Sequence, residues 1–211
     1  MNGKPLLVLA TTNQGKVAEL IDLLAAHFEV MPRPPEVADT DEDQPTLVGN
    51  ARKKAAEIAA ATGLAALADD TGLFVDALDG GPGVHTARYA GVGATYDQNV
   101  AKLLDALTDV EVGGPPGRGA QFRTCIALVW PDGREVLGEG SVEGRIAPER
   151  RGTGGFGYDP VFVPIEGDGR TFGEMSRAEK GELNHRVRAF ADLLAKLEPD
   201  EFSDSPSSLA V

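Results

Sequence analysis

Two adjacent carboxylates interrupt an apolar run: residues 67–73 read LADDTGL, and Phe74 and Val75 resume the apolar pattern. An apolar strand bounded by turn residues presents its polar end at a sheet edge, where α/β folds tend to bind ligands. Two acids side by side repel one another and gain nothing from apolar burial. If Asp69 and Asp70 lie partly inside, a cation or a hydrogen-bond donor must compensate them. For the pair taken alone, a solvated acidic turn is the competing reading.

Three further stretches carry reactive or ligand-shaping groups. Residues 11–16 read TTNQGK, between an apolar run and an amphipathic segment. Strand, polar glycine-containing turn and helix together aim free backbone N–H groups at an anion. Lys16 falls in the first helical turn, where a cation opposes the helix dipole, so it suggests a bound anion. The turn is not a Walker A loop, because the upstream glycine is missing and Val17 follows where Ser or Thr should stand. A plain β–α connection is equally open. Residues 152–160 read GTGGFGYDP. Four glycines broken by two aromatics make a backbone loop that can press against a flat ligand, with a ring available for stacking. A purely structural glycine turn is the alternative. Last, His185 and Arg186 follow Asn184, a capping residue type, at the start of a helical pattern. An imidazole and a guanidinium at the positive end of a helix need something negative or acceptor-rich to meet them.

Periodicity gives the elements that must hold these groups. The run over residues 4–11 predicts a buried strand, and Val17, Leu20, Ile21 and Leu24 mark the inner face of the helix after it. Residues 28–31 predict a short second strand, and residues 32–45, rich in proline and acid, an exposed loop with most of its acids solvated. Thr46 serves as N-cap of an alanine-rich helix reaching Thr62, with Gly63 just past its end and no capping box because N3 is Gly49. Lys53 and Lys54 in that helix read, by themselves, as exposed lysines. A glycine-dense loop covers residues 79–91, in which His85 reads as a packing or hydrogen-bonding residue rather than a catalyst. Val100, Leu103, Leu104 and Leu107 predict a helix over residues 95–107, and GGPPGRG at 113–119 a flexible connector between two lobes. Runs at 120–129 and 135–142 flank Pro131, Asp132 and Gly133 as a β-hairpin, and 161–163 predict another strand. Val187, Phe190, Ala191 and Leu194 are the predicted packing face of the last helix.

The chain has 211 residues, with 33 acidic against 20 basic side chains and a formal net charge of -13. That length holds one domain or two small lobes around a real core. A broad nucleic-acid surface needs a basic face, so this balance argues against one; a few local cations could still hold a small phosphorylated ligand. The single cysteine, Cys125, excludes an intramolecular disulfide and reads as a buried thiol. No apolar run approaches membrane-spanning length and the N-terminus lacks a signal-peptide core, so the sequence reads as soluble and cytoplasmic.

Taken together, TTNQGK at 11–16, ADDTGL at 68–73, GTGGFGYDPVF at 152–162, and Lys180 with Asn184, His185 and Arg186 resemble one family. It is that of the noncanonical purine nucleoside triphosphate pyrophosphatases, also called inosine triphosphate or dITP/XTP pyrophosphatases, and order and spacing agree over about residues 5–197. The resemblance implies an α/β fold with an elongated mixed central sheet, helices on both faces, and two lobes with a nucleotide cleft between them. It implies a single pyrophosphatase domain over residues 1–199, and the terminal residues 200–211 read as a disordered tail. It also implies a homodimer, no nucleic-acid or membrane partner, and Mg²⁺-assisted water attack on the α-phosphate of dITP, ITP and XTP. The products are the monophosphate and pyrophosphate, and deaminated purines leave the nucleotide pool. By matched position Asp70 is the general base, and Asp70 and Glu42 are the metal ligands, with Asp41 and Asp43 as rivals of Glu42. Thr11, Thr12, Asn13, Gln14, Gly15, Lys16 and Lys54 would hold the triphosphate. Thr71, Phe156, Gly157, Tyr158, Asp159, Lys180, His185 and Arg186 would hold the sugar and base. Three positions depart from the family: Thr71 and Asn184 stand where serine is usual, and Gly49 where many relatives carry glutamate.

The chemistry agrees with that assignment. Water attack on an α-phosphorus needs the triphosphate charge neutralised and a group that takes or orients the proton. Carboxylates suit Mg²⁺, a hard cation, and lysines offset the remaining charge. Hypoxanthine and xanthine carry a C6 carbonyl where adenine carries an amino donor, and Arg186 can only donate. Two other readings are a pyrophosphatase for other modified nucleotides and a nucleotide-binding regulator without turnover.

Overall fold

The longest apolar runs form the centre of one mixed, seven-stranded sheet, in a computed structural model that describes residues 4–111 and 117–197. β3 (Ala65–Val75), β5 (Gly119–Val129) and β6 (Glu135–Ile146) pair antiparallel along their length. The short strands β1 (Leu6–Leu9) and β2 (Glu29–Met31) add in parallel beyond β3, and β7 (Phe162–Pro164) adds antiparallel beyond β6. The order is therefore β2-β1-β3-β5-β6-β7, with β4 (Pro82–Gly83) pairing the far end of β3. Five α-helices lie among the described residues: α1 (Gln14–Leu24), α2 (Leu47–Thr62), α3 (Tyr96–Ala106), α4 (Arg177–Leu183) and α5 (His185–Lys196). None is long and apolar enough to cross a membrane.

Because successive strand residues point to opposite faces, the sheet carries two cores. Leu7, Leu9, Leu67, Ile126 and Leu128 face α1 and α5. Val8, Ala66, Ala68, Cys125 and Ala127 face the alanine stripe of α2. A third cluster, around Leu73, Phe122, Phe162 and α3, fills the far end. Cys125 is buried, and burial pushes its thiol pKa up to about 12.

Local signals explain the ends. Thr46 Oγ1 accepts from the N–H of Gly49 at 3.0 Å, and Gly63 closes α2 at φ 68, where only glycine is at ease. Thr95 and Gln98 form a capping box on α3. The hairpin closes with Val129 opposite Glu135.

Two predicted faces need correction. Ile21 is 43% exposed, because α1 turns Lys16, Glu19 and Leu20 inward instead. On α5, Ala191 is exposed, and His185, Ala189 and Leu193 face the sheet. The cause lies in β6: a Cβ on Gly138 would sit 2.2 Å from Ala189 O, and one on Gly140 2.3 Å from both Ala189 N and His185 O. Backbone seats directly on backbone there, which fixes the rotation of α5. His85, expected to pack or hydrogen-bond, has an exposed side chain. The predicted connector at 113–119 falls largely outside the described residues, and the predicted tail wholly so; Gly119 opens β5.

Candidate active site

β1 ends with Leu9 opposite Leu67, and β4 ends with Gly83 opposite Leu73. Between them, residues 68–72 of β3 have no strand beside them on that edge, and a cavity of about 280 Å³ opens there. The two carboxylates lie in this gap, and strand alternation sends them to opposite faces. Asp69, on the α1/α5 face, places Oδ2 at 3.2 Å from Lys16 Nζ and 3.1 Å from Arg186 Nε. Asp70, on the α2 face, places Oδ1 at 3.1 Å from Lys54 Nζ and accepts on Oδ2 from Asn50 Nδ2 at 3.1 Å. The Asp69 carbonyl, a ladder acceptor with no neighbouring strand, receives Lys54 Nζ at 2.8 Å. The compensation demanded by the sequence is therefore supplied from two directions.

The electrostatics of the pair differ accordingly. Burial alone would raise the Asp69 pKa, yet Lys16 and Arg186 outweigh it and hold the carboxyl far below the usual range. At Asp70 burial wins over Lys54 and Lys16, so its pKa is raised. Burial lowers the pKa of Lys16 despite Asp69. It works the same way on Lys54, but Asp70 and Glu42 reverse it and the pKa is raised.

α2 explains why Lys54 belongs to the site. Asn50, Lys54 and Ile58 recur at i, i+4 and i+8 beside Ala51, Ala55 and Ala59, all buried. The exposed-lysine reading is corrected by that stripe, which the sequence displays. Most acids of the loop are exposed, as expected, and Glu42 is the half-buried exception. Glu42 accepts from Lys54 Nζ at 2.8 Å and from Arg88 Nη1 at 3.3 Å, and Arg88 also bonds the Glu42 carbonyl at 2.8 Å. Asp39 pairs with Arg33, which lines the cavity, and Asp43 with Lys53. Of the three rival acids only Glu42 lines the cavity.

The turn before α1 behaves differently from its prediction. Asn13 caps the helix with its own side chain, accepting from Gly15 N at 3.0 Å and Lys16 N at 3.3 Å. Those two N–H groups are thus not free for an anion. Thr11, Thr12, Asn13 and Lys16 line the cavity; Gln14 and Gly15 do not. Gly15 matters in another way, since a Cβ there would lie 2.7 Å from the Phe156 ring.

Phe156 also lines the cavity and offers it a ring face. Lys180 Nζ lies 5.0 Å and Arg186 Cζ 5.8 Å from its ring centre, within cation–π reach. Asp159 braces this loop: Oδ2 accepts from Phe156 N at 2.8 Å and Lys180 Nζ at 2.7 Å, and burial raises its pKa. Tyr158 is buried and donates to the Thr86 carbonyl at 3.0 Å. Gly157, Thr71, Lys180, His185 and Arg186 also line the cavity. Glu19 meets both cations of this end, bonding Lys180 Nζ at 3.0 Å and pairing with Arg186. The carboxylates of Asp69 and Glu19 are thus the negative partners that Arg186 needed at a helix N-terminus. Its fork is largely engaged: Nε on Asp69, Nη1 on Glu19, and Nη2 on Thr71 Oγ1 at 3.3 Å. Burial, with Arg186 and Lys180 close by, keeps the His185 imidazole well below its usual pKa and therefore neutral.

Among the described residues no three His, Cys, Asp or Glu side chains converge on a metal-sized point. Glu42 and Asp70 do converge, on Lys54 Nζ. Two hard carboxylates facing a phosphate-sized cavity fit Mg²⁺, which takes one or two carboxylates plus substrate phosphates and water.

Several residues that shape the site escaped the sequence reading. Asn50 and Glu19 are ordinary polar helix residues, and only their i+4 and i+3 spacing to Lys54 and Lys16 hinted at a shared face. Arg33 sits in a loop and Arg88 in a single 3-10 turn, Thr86–Arg88, where no periodicity exists to place them.

A model of the Ham1 family matches residues 7–196 of this chain. A dITP/XTP pyrophosphatase of Caulobacter vibrioides is 46% identical over 192 residues, covering 90% of this chain and 97% of the relative. One from Symbiobacterium thermophilum is 47% identical over 192 residues, covering 90% and 94%. Among solved structures, a HAM1 protein from Coxiella burnetii matches with a TM-score of 0.80 at 38% identity, covering 90% of this chain and 97% of that one.

Proposed function

Because the chain belongs to the Ham1 family, we propose that it is a dITP/XTP pyrophosphatase, hydrolysing dITP, XTP and ITP to the monophosphate and pyrophosphate. The observation that carries this is the lining of one cavity, which brings the carboxylates of Asp70 and Glu42 and the cations Lys16 and Lys54 together with the ring of Phe156.

Lys16 and Lys54 offset triphosphate charge, and Thr11, Thr12 and Asn13 add polar contacts along the same wall. Asp70 accepts the proton of the attacking water. Lys54 and Asn50 hold it in place for that role. Glu42 and Asp70 would hold Mg²⁺, which supplies charge neutralisation on the phosphates. The purine stacks on Phe156, with Lys180, His185 and Arg186 around its edge. This reading takes the cavity as a cleft between two lobes, and the assembly as a cytoplasmic homodimer, which size-exclusion chromatography with light scattering would test.

Replacing Asp70 by Asn tests the central role. Under this reading Asp70→Asn still binds ITP but loses about 10²–10⁴-fold in turnover, the contribution of a general base. Unchanged turnover would remove Asp70 from the reaction.

A further inference from the structure

Behind the base end of the cavity, four polar side chains form a single file. Asp69 Oδ2 is 3.2 Å from Thr71 Oγ1, Thr71 Oγ1 is 2.7 Å from Thr124 Oγ1, and Thr124 Oγ1 is 2.6 Å from His185 Nδ1. The sheet produces the middle link, because Thr71 on β3 stands directly opposite Thr124 on β5. Thr124 is 2% exposed and does not itself line the cavity, whereas His185 does, with its ring stacked on Phe122 at 4.8 Å.

Three contacts need three protons. Each threonine has one hydroxyl proton, and a neutral imidazole has one N–H. Asp69 has none to give, since Lys16 and Arg186 both donate to the oxygen that ends the file. All three contacts are satisfied only if every proton points towards Asp69. Thr71 then donates to Asp69, Thr124 to Thr71, and His185 Nδ1–H to Thr124. Thr71 Oγ1 has two lone pairs, and Arg186 Nη2 uses the second. The opposite tautomer leaves two protons for three contacts, and so one buried contact without a proton. With the proton on Nδ1, Nε2 carries a lone pair, and no described residue bonds to it.

We propose that Thr124, acting through Thr71 and Asp69, is a positioning residue that locks His185 as its Nδ1–H tautomer, so that Nε2 faces the cavity as an acceptor and selects purines carrying an N1–H. The inference rests on reading the cavity as the purine site. Hypoxanthine and xanthine present an N1–H donor; adenine presents a bare N1, which would set acceptor against acceptor. A site built to bond a substrate N–H discriminates well against the analogue lacking it, because its own polar group is left unpaired. Guanine also has an N1–H and is not rejected by this contact.

The test joins ¹⁵N NMR of the full chain at neutral pH to substrate selectivity. His185 signals are assigned by their loss in His185→Gln. The expected spectrum shows a protonated Nδ1 and an unprotonated Nε2; a proton on Nε2, or on both nitrogens, overturns the proposal. Thr124→Val keeps the shape but cuts the file. It is expected to lower the ITP-over-ATP ratio of kcat/KM by about tenfold, the scale of one hydrogen bond, and to move the proton to Nε2. Thr124→Ser is expected to restore both. An unchanged ratio in a folded Thr124→Val protein contradicts the selectivity role. If the unaltered protein turns over none of these nucleotides, the proposed function fails instead, and the nitrogen signals still decide the tautomer.

Discussion

Asp69 and Asp70 are neighbours in sequence, yet their charges are treated oppositely. Asp69 is fully enclosed and held ionised by Lys16 and Arg186, while Asp70 is raised in pKa by burial although Lys54 touches it. A group held below its ordinary pKa contributes stability that is complete above the ordinary value and is lost as pH falls through the shifted one. Asp69, held low by Lys16 and Arg186, and Glu19, held low by Arg186 and Lys180, follow that sign, and Asp70 follows the reverse. Neutralising each acid should therefore separate architecture from chemistry. Asp69→Asn leaves two buried cations without their shared counter-charge and is expected to lose about 3–5 kcal/mol of stability in urea unfolding. Asp70→Asn removes a charge that burial already disfavours and is expected to unfold within about 1 kcal/mol of the unaltered chain. Equal losses for the two variants would contradict this division.

Strand alternation and two helix faces do the positioning. β3 splits the carboxylate pair, α2 brings Lys54 and Asn50 to one side, and α1 and α5 bring Lys16 and Arg186 to the other. The seat of α5 on Gly138 and Gly140 sets how His185 and Arg186 enter the cavity. Gly140→Ala would drive a methyl group into the α5 backbone; it is expected to cost about 1–3 kcal/mol or more and to depress turnover beyond what the unfolded fraction explains. Gly181→Ala in α4, where a Cβ meets nothing within 4 Å, is the control, expected to be neutral or slightly stabilising. Normal turnover in Gly140→Ala would show that α5 can shift without harm. The same comparison shows what the sequence made legible. Caps such as Thr46 and Asn184, the hairpin around Gly133, and the strand–turn–helix before Lys16 are local, and local propensity is enough to read them. Which face of α1 or α5 turns inward depends on contacts made by distant glycines and carboxylates, so Ile21 and Ala191 were assigned to the wrong side. Lys54 looked exposed because its apolar companions on α2 are alanines, which mark a face only weakly.

Over the whole molecule, a chain of formal net charge -13 gathers Lys16, Arg33, Lys54, Lys180 and Arg186 around one cavity. Local cations inside an acidic surface favour a compact anion that can enter the cavity and disfavour a polyanion that must lie along the outside. The cavity wall combines Lys16, Lys54, Glu42 and Asp70 with Phe156, Lys180 and His185. A triphosphate against the first group and a purine against the second use every residue named in it. The motif stretches recognised in the sequence converge there because β3, the α1 turn, α2 and the α5 N-terminus all meet where β1 stops short of β3. The most direct measurement is pyrophosphate release from dITP, ITP, XTP, ATP and GTP, each with Mg²⁺ and with EDTA. The account predicts rapid, metal-dependent release from dITP, ITP and XTP and little from ATP. Release from ATP at the rate of ITP, or release undiminished by EDTA, would contradict it.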